Sequence, residues 1–230
     1  MTHFFLPLGT LVNVLTVVCG SLIGIFFHKC IPSRIHTTVM QAIGLCTLLI
    51  GTQMALKFVN LIFLIFSLLG GAILGELLQL EDKFISVSEK IKQKCKTSAP
   101  NFTQGLLTAF LIFCIGSLTI LGALEEGINN NHALLYTKAT LDGFTAIALS
   151  ASYGVGVLFS VIPLFIYQTT LTLLAAMLQP FFTPALINQL TAVGGVLIIG
   201  LGINLLQLKE IKVTNLLPSL IFVFILKPFL

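Results

Sequence analysis

Apolar residues fall in long runs along the chain, and short polar connectors separate these runs. A run of about 20 apolar residues is long enough to cross the hydrocarbon core of a bilayer as a helix. The pattern therefore predicts an all-α fold, a bundle of about seven to eight transmembrane helices in one integral membrane domain over residues 1–230. The predicted spans are Leu8–Phe27, Thr37–Leu56, Leu61–Leu80, Gln104–Leu124, Ala133–Gly154, Val157–Met177, Ile187–Leu206 and Leu216–Leu230.

Two features at the ends of these runs refine the prediction. The fifth and sixth spans share one run without formal charge after Asp142, and Gly154 or Gly156 is expected to divide it. The N-terminal run has no basic residue before it, and its first positive charge, Lys29, follows it. This order predicts a retained first span rather than a cleaved signal peptide.

Composition excludes several classes of protein. Hydrophobic residues make up 57% of the chain and the mean hydropathy is +1.06, which is too apolar for a soluble domain of this length. The cysteines and histidines show no ligand spacing, so neither a metal site nor another cofactor is predicted. Motifs of serine hydrolases, zinc proteases and P-loop proteins are absent from the sequence, which predicts that the protein is not an enzyme.

The basic residues indicate an orientation, because lysine and arginine are enriched in cytoplasmic loops. With eight spans and the N-terminus outside, nine of the 12 basic residues lie on the cytoplasmic side. Five of them lie in the connector 81–101, so the net charge of +4 does not indicate a nucleic-acid partner. This connector is predicted to be cytoplasmic, either as an amphipathic helix on the anionic leaflet or as a solvated basic loop. The helical alternative aligns Phe84, Ser88, Ile91 and Cys95.

Small and polar residues share one face of the first span. Steps of three and four residues align Gly9, Asn13, Thr16, Gly20 and Gly24. Such faces let membrane helices pack closely, and in transporters glycines also break helices and expose backbone carbonyls. Both alternatives apply as well to the glycines of spans three and seven, which are Gly71, Gly75, Gly195, Gly200 and Gly202. The side-chain amides of Asn13 and Asn204 each need a hydrogen-bond partner if they are buried.

The spacing of spans suggests an internal repeat. A shift of 150 residues lays spans one and two over spans six and seven without a gap, although only 4 of 49 residue pairs are identical. Under the predicted topology this match would be an inverted repeat of spans one to three and six to eight, as in many secondary transporters. A shift of 134 residues would give a parallel repeat instead, and the absence of any true repeat is the third alternative.

Three acidic residues lie close to the predicted ends of spans. Glu76 lies four residues before the end of span three, where it is either an interfacial carboxylate or a protonatable group on a glycine-lined face. Glu125 and Glu126 follow span four in an expected external turn, Gly122–Asn131. They form either a simple acidic loop or a vestibule that attracts a cation.

Lys138 and Asp142 lie inside the predicted fifth span. Asp142 is about 13 Å from the start of that helix, where an unpaired charge is costly. Lys138 is four residues earlier on the same face and can neutralise it. The pair is either a structural ion pair or a gated site, and Thr145, Ser150 and Ser152 would extend a polar line from it.

Several motifs together resemble a known family. The segments "GTLVNVLTVVCGSLIG", "MQAIGLCTLLIGTQMAL", "GGAILGEL", "GALEEGI", "LDGFTAIALSASYGVGVLFS" and "GGVLIIGLGINLL" are similar to the YqgA/YdfK-like bacterial inner-membrane proteins, a family of unknown function (DUF554) in which transport is an untested suggestion. The resemblance implies a bacterial inner-membrane location. It implies no functional residue, since none is established for the family.

The sequence favours a small secondary transporter or channel for an ion or small polar solute, in which a homodimer is plausible because the chain is only 24.9 kDa. Asp142 with Lys138 is the expected coupling pair, and Glu125 and Glu126 the expected outer entrance. Polar liners are expected at Asn13 and Asn204, and Glu76 is a further candidate. The alternative is a non-transporting membrane scaffold or sensor partner.

Overall fold

The computed structural model describes residues 7–30, 33–94 and 101–227. Helices account for most of these residues, and no strand occurs among them. A 3-10 turn, Gln179–Phe181, lies between the tenth and eleventh α-helices. The α-helices are α1 (Leu8–Cys30), α2 (Ser33–Ala55), α3 (Leu61–Leu78), α4 (Leu80–Lys94), α5 (Phe102–Cys114), α6 (Ser117–Asn129), α7 (Ala133–Tyr153), α8 (Gly156–Phe159), α9 (Val161–Leu173), α10 (Ala175–Leu178), α11 (Pro184–Leu205), α12 (Val213–Leu216) and α13 (Ser219–Leu226).

Four helical segments in the described part of the chain are long and apolar enough to cross a membrane. The bent pair of α5 and α6 adds a fifth if it is one span, and two shorter apolar helices cover Gln41–Ala55 and Val213–Leu226. The all-α fold with four to five segments that could cross a membrane is thereby confirmed, while the count of seven to eight spans stays a prediction. The four segments are Leu8–Phe27, Leu61–Leu78, Gly156–Leu173 and Pro184–Leu205.

The division between the fifth and sixth predicted spans is confirmed at Gly154. Helix α7 ends at Tyr153, and Gly154 has a φ of 71°, a left-handed conformation that glycine adopts without a steric penalty. The chain then restarts as α8 at Gly156. One glycine therefore ends the helix inside a run that carries no charge.

The prediction of one continuous fourth span, Gln104–Leu124, is wrong in detail. Helices α5 and α6 replace it, and their axes differ by 54°. Gly116 has extended backbone angles and interrupts the helical hydrogen bonds between them. The expected external turn at Gly122–Asn131 is also wrong, because α6 continues to Asn129 and ends at Asn130 in the left-handed conformation that asparagine tolerates.

Contacts divide the chain into two compact units. The first combines α1 with the segment Gln104–Thr183, and the second combines α2, α3 and α4 with the chain from Pro184 onward. In the second unit α2 packs along α11, with Gly51 against Gly195, and α3 packs along α13. The single-domain assignment for residues 1–230 stays a prediction.

The basic connector is helical over α4, while residues 95–100 lie outside the described part of the chain. Ser88 is buried and Phe84 is half-buried, so both lie towards protein rather than solvent. Asn215 Oδ1 accepts from the backbone N–H of Glu81 at 2.7 Å, which ties the start of α4 to α12. The predicted stripe position Cys95 and the basic residue Lys96 belong to the undescribed part, and the cytoplasmic location stays a prediction.

Candidate functional site

Helices α1 and α7 touch through their backbones in the first unit. A Cβ atom added to Gly20 would overlap the carbonyl oxygen of Gly143, and one added to Gly24 would overlap that of Ile147. The same face of α1 carries Thr16, whose hydroxyl donates to the carbonyl oxygen of Ala139 at 2.9 Å. The predicted small-residue face is therefore a packing face, and it places the polar side chains of α1 directly on α7.

Asp142 is held near the middle of α7 by two side chains. Lys138, one turn earlier, donates to Asp142 Oδ2, and the exposed fractions of the two side chains are 5% and 9%. Asn13 Nδ2 of α1 donates to the same oxygen at 3.1 Å. The predicted pair is thus a buried ion pair, and Asn13, predicted independently as a polar liner, is bonded to it.

Gln168 joins this cluster from α9, and no pattern in the sequence indicated this position. Asn13 Nδ2 donates to Gln168 Oε1 at 3.0 Å, and both side chains are fully buried. Asn13 Oδ1 and Gln168 Nε2 have no hydrogen-bond partner among the described residues. One acceptor and one donor are therefore left open in a buried site, where an unmet hydrogen bond costs about 1–3 kcal/mol.

The break between α5 and α6 lies beside this cluster. The ammonium group of Lys138 is 6.0 Å from the ring centroid of Phe113, the second-last residue of α5. The Thr119 hydroxyl donates to the Phe113 carbonyl at 2.9 Å and satisfies one backbone acceptor that the break leaves free. Gly116 at the N-cap of α6 supplies no side-chain acceptor for the first amides of that helix.

Glu126 is the centre of a second buried cluster rather than part of an exposed turn. Its side chain is fully buried near the end of α6. Oε1 accepts from the Gly9 backbone N–H at 2.5 Å and lies 2.7 Å from His132 Nδ1, while Oε2 accepts from the hydroxyls of Thr10 and Thr172 at 3.3 Å each. The spacing of Glu126 and His132, six residues apart across a helix end, gave no signal in the sequence.

The remaining acidic candidates are more exposed. Glu125 is half-buried and accepts from Asn129 at 3.1 Å on α6. Glu76, in the second unit, accepts from Lys212 at 3.0 Å and from Asn215 at 2.6 Å, and its side chain is 61% exposed. The hydrogen bond from Lys212 to Glu76 raises the pKa of Lys212, and the carboxylate charge adds to this effect.

Asn204 closes a connector in the second unit. Its Nδ2 donates to the carbonyl oxygen of Ile211 at 2.8 Å, and its Oδ1 accepts from the N–H of Ile211 at 2.7 Å. The amide is thus paired on both sides with backbone. These bonds fix the turn after α11, and a role of Asn204 as a pathway liner stays a prediction.

Among the described residues, no group of three or more His, Cys, Asp and Glu side chains is arranged to hold a metal ion. The first unit instead holds a buried ion pair with open amide groups beside a broken helix. With the apolar helices of both units, this defines the class: a helical membrane protein with a polar site inside its helices.

The chain belongs to the family described as "Protein of unknown function (DUF554)", which matches residues 8–227. It is 36% identical over 217 residues to the "Uncharacterized membrane protein YdfK" of Bacillus subtilis, covering 93% of this chain and 92% of that protein. It is 31% identical over 219 residues to the "Uncharacterized protein YqgA" of Escherichia coli, covering 93% of each. No solved structure matches significantly. The resemblance seen in the sequence is confirmed.

Proposed function

We propose that the protein is a small secondary transporter or channel for an ion or small polar solute, with its site at Lys138, Asp142, Asn13 and Gln168. The observation that carries the proposal is the pair of open groups, Asn13 Oδ1 and Gln168 Nε2, beside a buried ion pair. A purely structural cluster gains stability by satisfying every polar atom, whereas a binding site keeps some for its ligand.

The ion pair couples binding of a ligand to the packing of α7 against α1. Charged side chains at membrane depth are costly, and they mark substrate paths and proton relays more often than structural joints. A cation or proton that binds Asp142 competes with Lys138 for the same oxygen, Oδ2. Release of Lys138 then alters the contacts of α7 with α1, because Asn13 bonds that oxygen too. No covalent step is part of this proposal, and no enzymatic role is proposed.

The interrupted helix supports this site. In secondary transporters, discontinuous helices bring helix ends and unpaired backbone groups to the substrate near the middle of the membrane. Here α5 and α6 are separated at Gly116, and Phe113 next to the break faces Lys138. A helix break with a purely structural role would not need to lie beside a buried charge.

The roles of the outer residues follow from an orientation with the N-terminus outside and eight spans. Four helix ends meet at Glu126, namely the start of α1, the end of α6, the start of α7 and the end of α9. The eight-span topology requires all four ends to lie on the same side of the membrane. We therefore assign Glu125 and Glu126 to the outer face of the inner membrane. The connector 81–101 is then cytoplasmic, with Glu76 and Asn204 near that face as further candidate residues of the path.

We also retain the inverted repeat of spans one to three and six to eight. In the second unit, α2 followed by α3 has a counterpart in α11 followed by α12 and α13. Gly51 approaches Gly195 while Gly44 approaches Leu206, so α2 and α11 run in opposite directions. Opposite directions for corresponding hairpins support an inverted arrangement. A homodimer of this small chain would provide a larger path.

Reconstitution tests the function directly. Purified protein in liposomes is assayed for flux of protons, monovalent and divalent ions and small polar solutes, with wild type, Asp142→Asn and Glu210→Gln compared. Asp142→Asn is expected to abolish the flux, while Glu210→Gln, an exposed carboxylate outside the site, keeps it. Silent wild-type vesicles across the whole panel would reject transport and leave the scaffold or sensor alternative. Unchanged flux in Asp142→Asn would reject this site.

A further inference from the structure

The buried Glu126 cluster contains a group that can take up a proton. Glu126 accepts four hydrogen bonds, two at each carboxylate oxygen, and every donor except His132 keeps its proton at all ordinary pH values. Of these four partners, His132 is the one with a second ring nitrogen that can bind a proton.

We propose that His132, paired with Glu126, is a proton-binding site that fastens the first turn of α1 to α6 and α7. His132 Nδ1 lies 2.7 Å from an oxygen that can only accept, so Nδ1 carries a hydrogen whatever the state of the ring. The exchangeable proton is then the one on Nε2. The side chain is 17% exposed, whereas Glu126 is fully buried, so protons reach the pair through His132.

Few other charges surround this pair. From α7, the ring of Tyr136 lies 5.8 Å from the imidazole ring, and from α6 the acid adjacent in sequence is Glu125, which accepts a hydrogen bond from Asn129. Helices α1 and α9 contribute only neutral donors, the Gly9 amide and the hydroxyls of Thr10 and Thr172. Within the described residues, the charge of Glu126 is thus balanced by His132 alone when the ring is protonated.

Protonation changes how firmly α1 is held. Uptake of a proton places a positive charge on the ring beside the carboxylate, so an attraction between opposite charges is added to the hydrogen bond that is already there. The same carboxylate holds the Gly9 amide and the Thr10 hydroxyl. Asn13, which bonds Asp142, lies one turn further along α1, about 6 Å away.

Two measurements on the full chain in lipid nanodiscs test the proposal. The first is the titration of the His132 ring between pH 5 and 8, followed by NMR of protein labelled at histidine and assigned with His132→Gln. The second is hydrogen exchange of the Gly9–Asn13 amides, corrected for the intrinsic pH dependence of exchange. Protection is expected to be about fivefold higher at pH 5 than at pH 8, the factor that corresponds to about 1 kcal/mol of added attraction between the two charges.

The variants separate this site from its surroundings. His132→Gln is expected to remove the pH dependence of protection, whereas Glu125→Gln, the neighbouring acid, leaves it unchanged. If His132→Gln does not fold, replacement of His3, His28 and His36 leaves a single histidine resonance for the same titration. A ring that does not titrate between pH 5 and 8, or protection that is independent of pH in wild type, would overturn the proposal. Neither measurement needs flux, so this inference can fail or stand apart from the transport proposal.

Discussion

The buried pair of Lys138 and Asp142 allows a quantitative test of how the first unit is held together. Lys138→Met keeps the length and the apolar stem of the side chain but removes its charge. Asp142 then remains buried with one hydrogen bond, from Asn13 Nδ2 at 3.1 Å. The carboxylate can respond only by taking up a proton or by opening the contact between α1 and α7.

The expected magnitude follows from the loss of one partner. Breaking a buried ion pair on one side costs about 3–5 kcal/mol, because the remaining charge stays desolvated. Loss of the ammonium group near the Phe113 ring adds about 0.5–2 kcal/mol. The double variant Lys138→Met with Asp142→Leu removes both charges and is expected to lie within about 2 kcal/mol of wild type.

Reversible unfolding in mixed detergent micelles, followed by circular dichroism, measures these differences. Lys212→Met is a matched control, since Lys212 also pairs with a glutamate, Glu76, but both side chains are more than half exposed. Its unfolding midpoint is expected to stay at the wild-type value. Equal stability of Lys138→Met and wild type, or a double variant less stable than Lys138→Met, would refute the assignment of a buried, mutually neutralising pair.

Two further predictions concern packing and topology. Gly20→Val is expected to destabilise the protein by about 3 kcal/mol in the same unfolding assay, because its side chain meets the Gly143 backbone, which cannot yield. Gly116→Ala serves as control, because an added Cβ there would make only an ordinary contact with the Thr119 hydroxyl at 3.7 Å, and a similar loss in that variant would contradict the argument. In a chain whose native cysteines are replaced by alanine, Asn131→Cys is expected to react with an impermeant thiol reagent added outside intact cells and Lys209→Cys only after permeabilisation, and the reverse result would invert the topology.

The sequence predicted the helices from the alternation of apolar runs and polar connectors, because membrane thickness sets the length of each apolar run. The starts of α3 and α7 were predicted at Leu61 and Ala133, where the structure has them. The break at Gly116 was missed, since glycine occurs throughout these spans and an apolar run has the same pattern whether or not a helix is interrupted. Only the contact with a neighbouring helix distinguishes the two cases.

The site residues also fall into two groups, those that the sequence predicted and those that it did not. Lys138 and Asp142 were predicted as a pair because they lie four residues apart on one helix, a distance that the sequence states directly. Asn13 was singled out because an amide in the hydrocarbon region needs a hydrogen-bond partner. Gln168 and the pair of Glu126 with His132 were missed, since their partners are far away in sequence or across a helix end. Long-range contacts of this kind depend on the tertiary structure.

The division into two units also affects how the chain is made. The polypeptide passes from the first unit to the second after Cys30, returns after Thr103, and leaves again after Thr183. Neither unit is continuous in sequence, so α1 leaves the ribosome long before α7, and α2 long before α11. Until α7 and α11 are inserted, α1 and α2 lie in the bilayer with their glycine faces uncovered. During synthesis, the faces that pack most closely in the finished protein are the ones that lipid or an insertion factor has to shield.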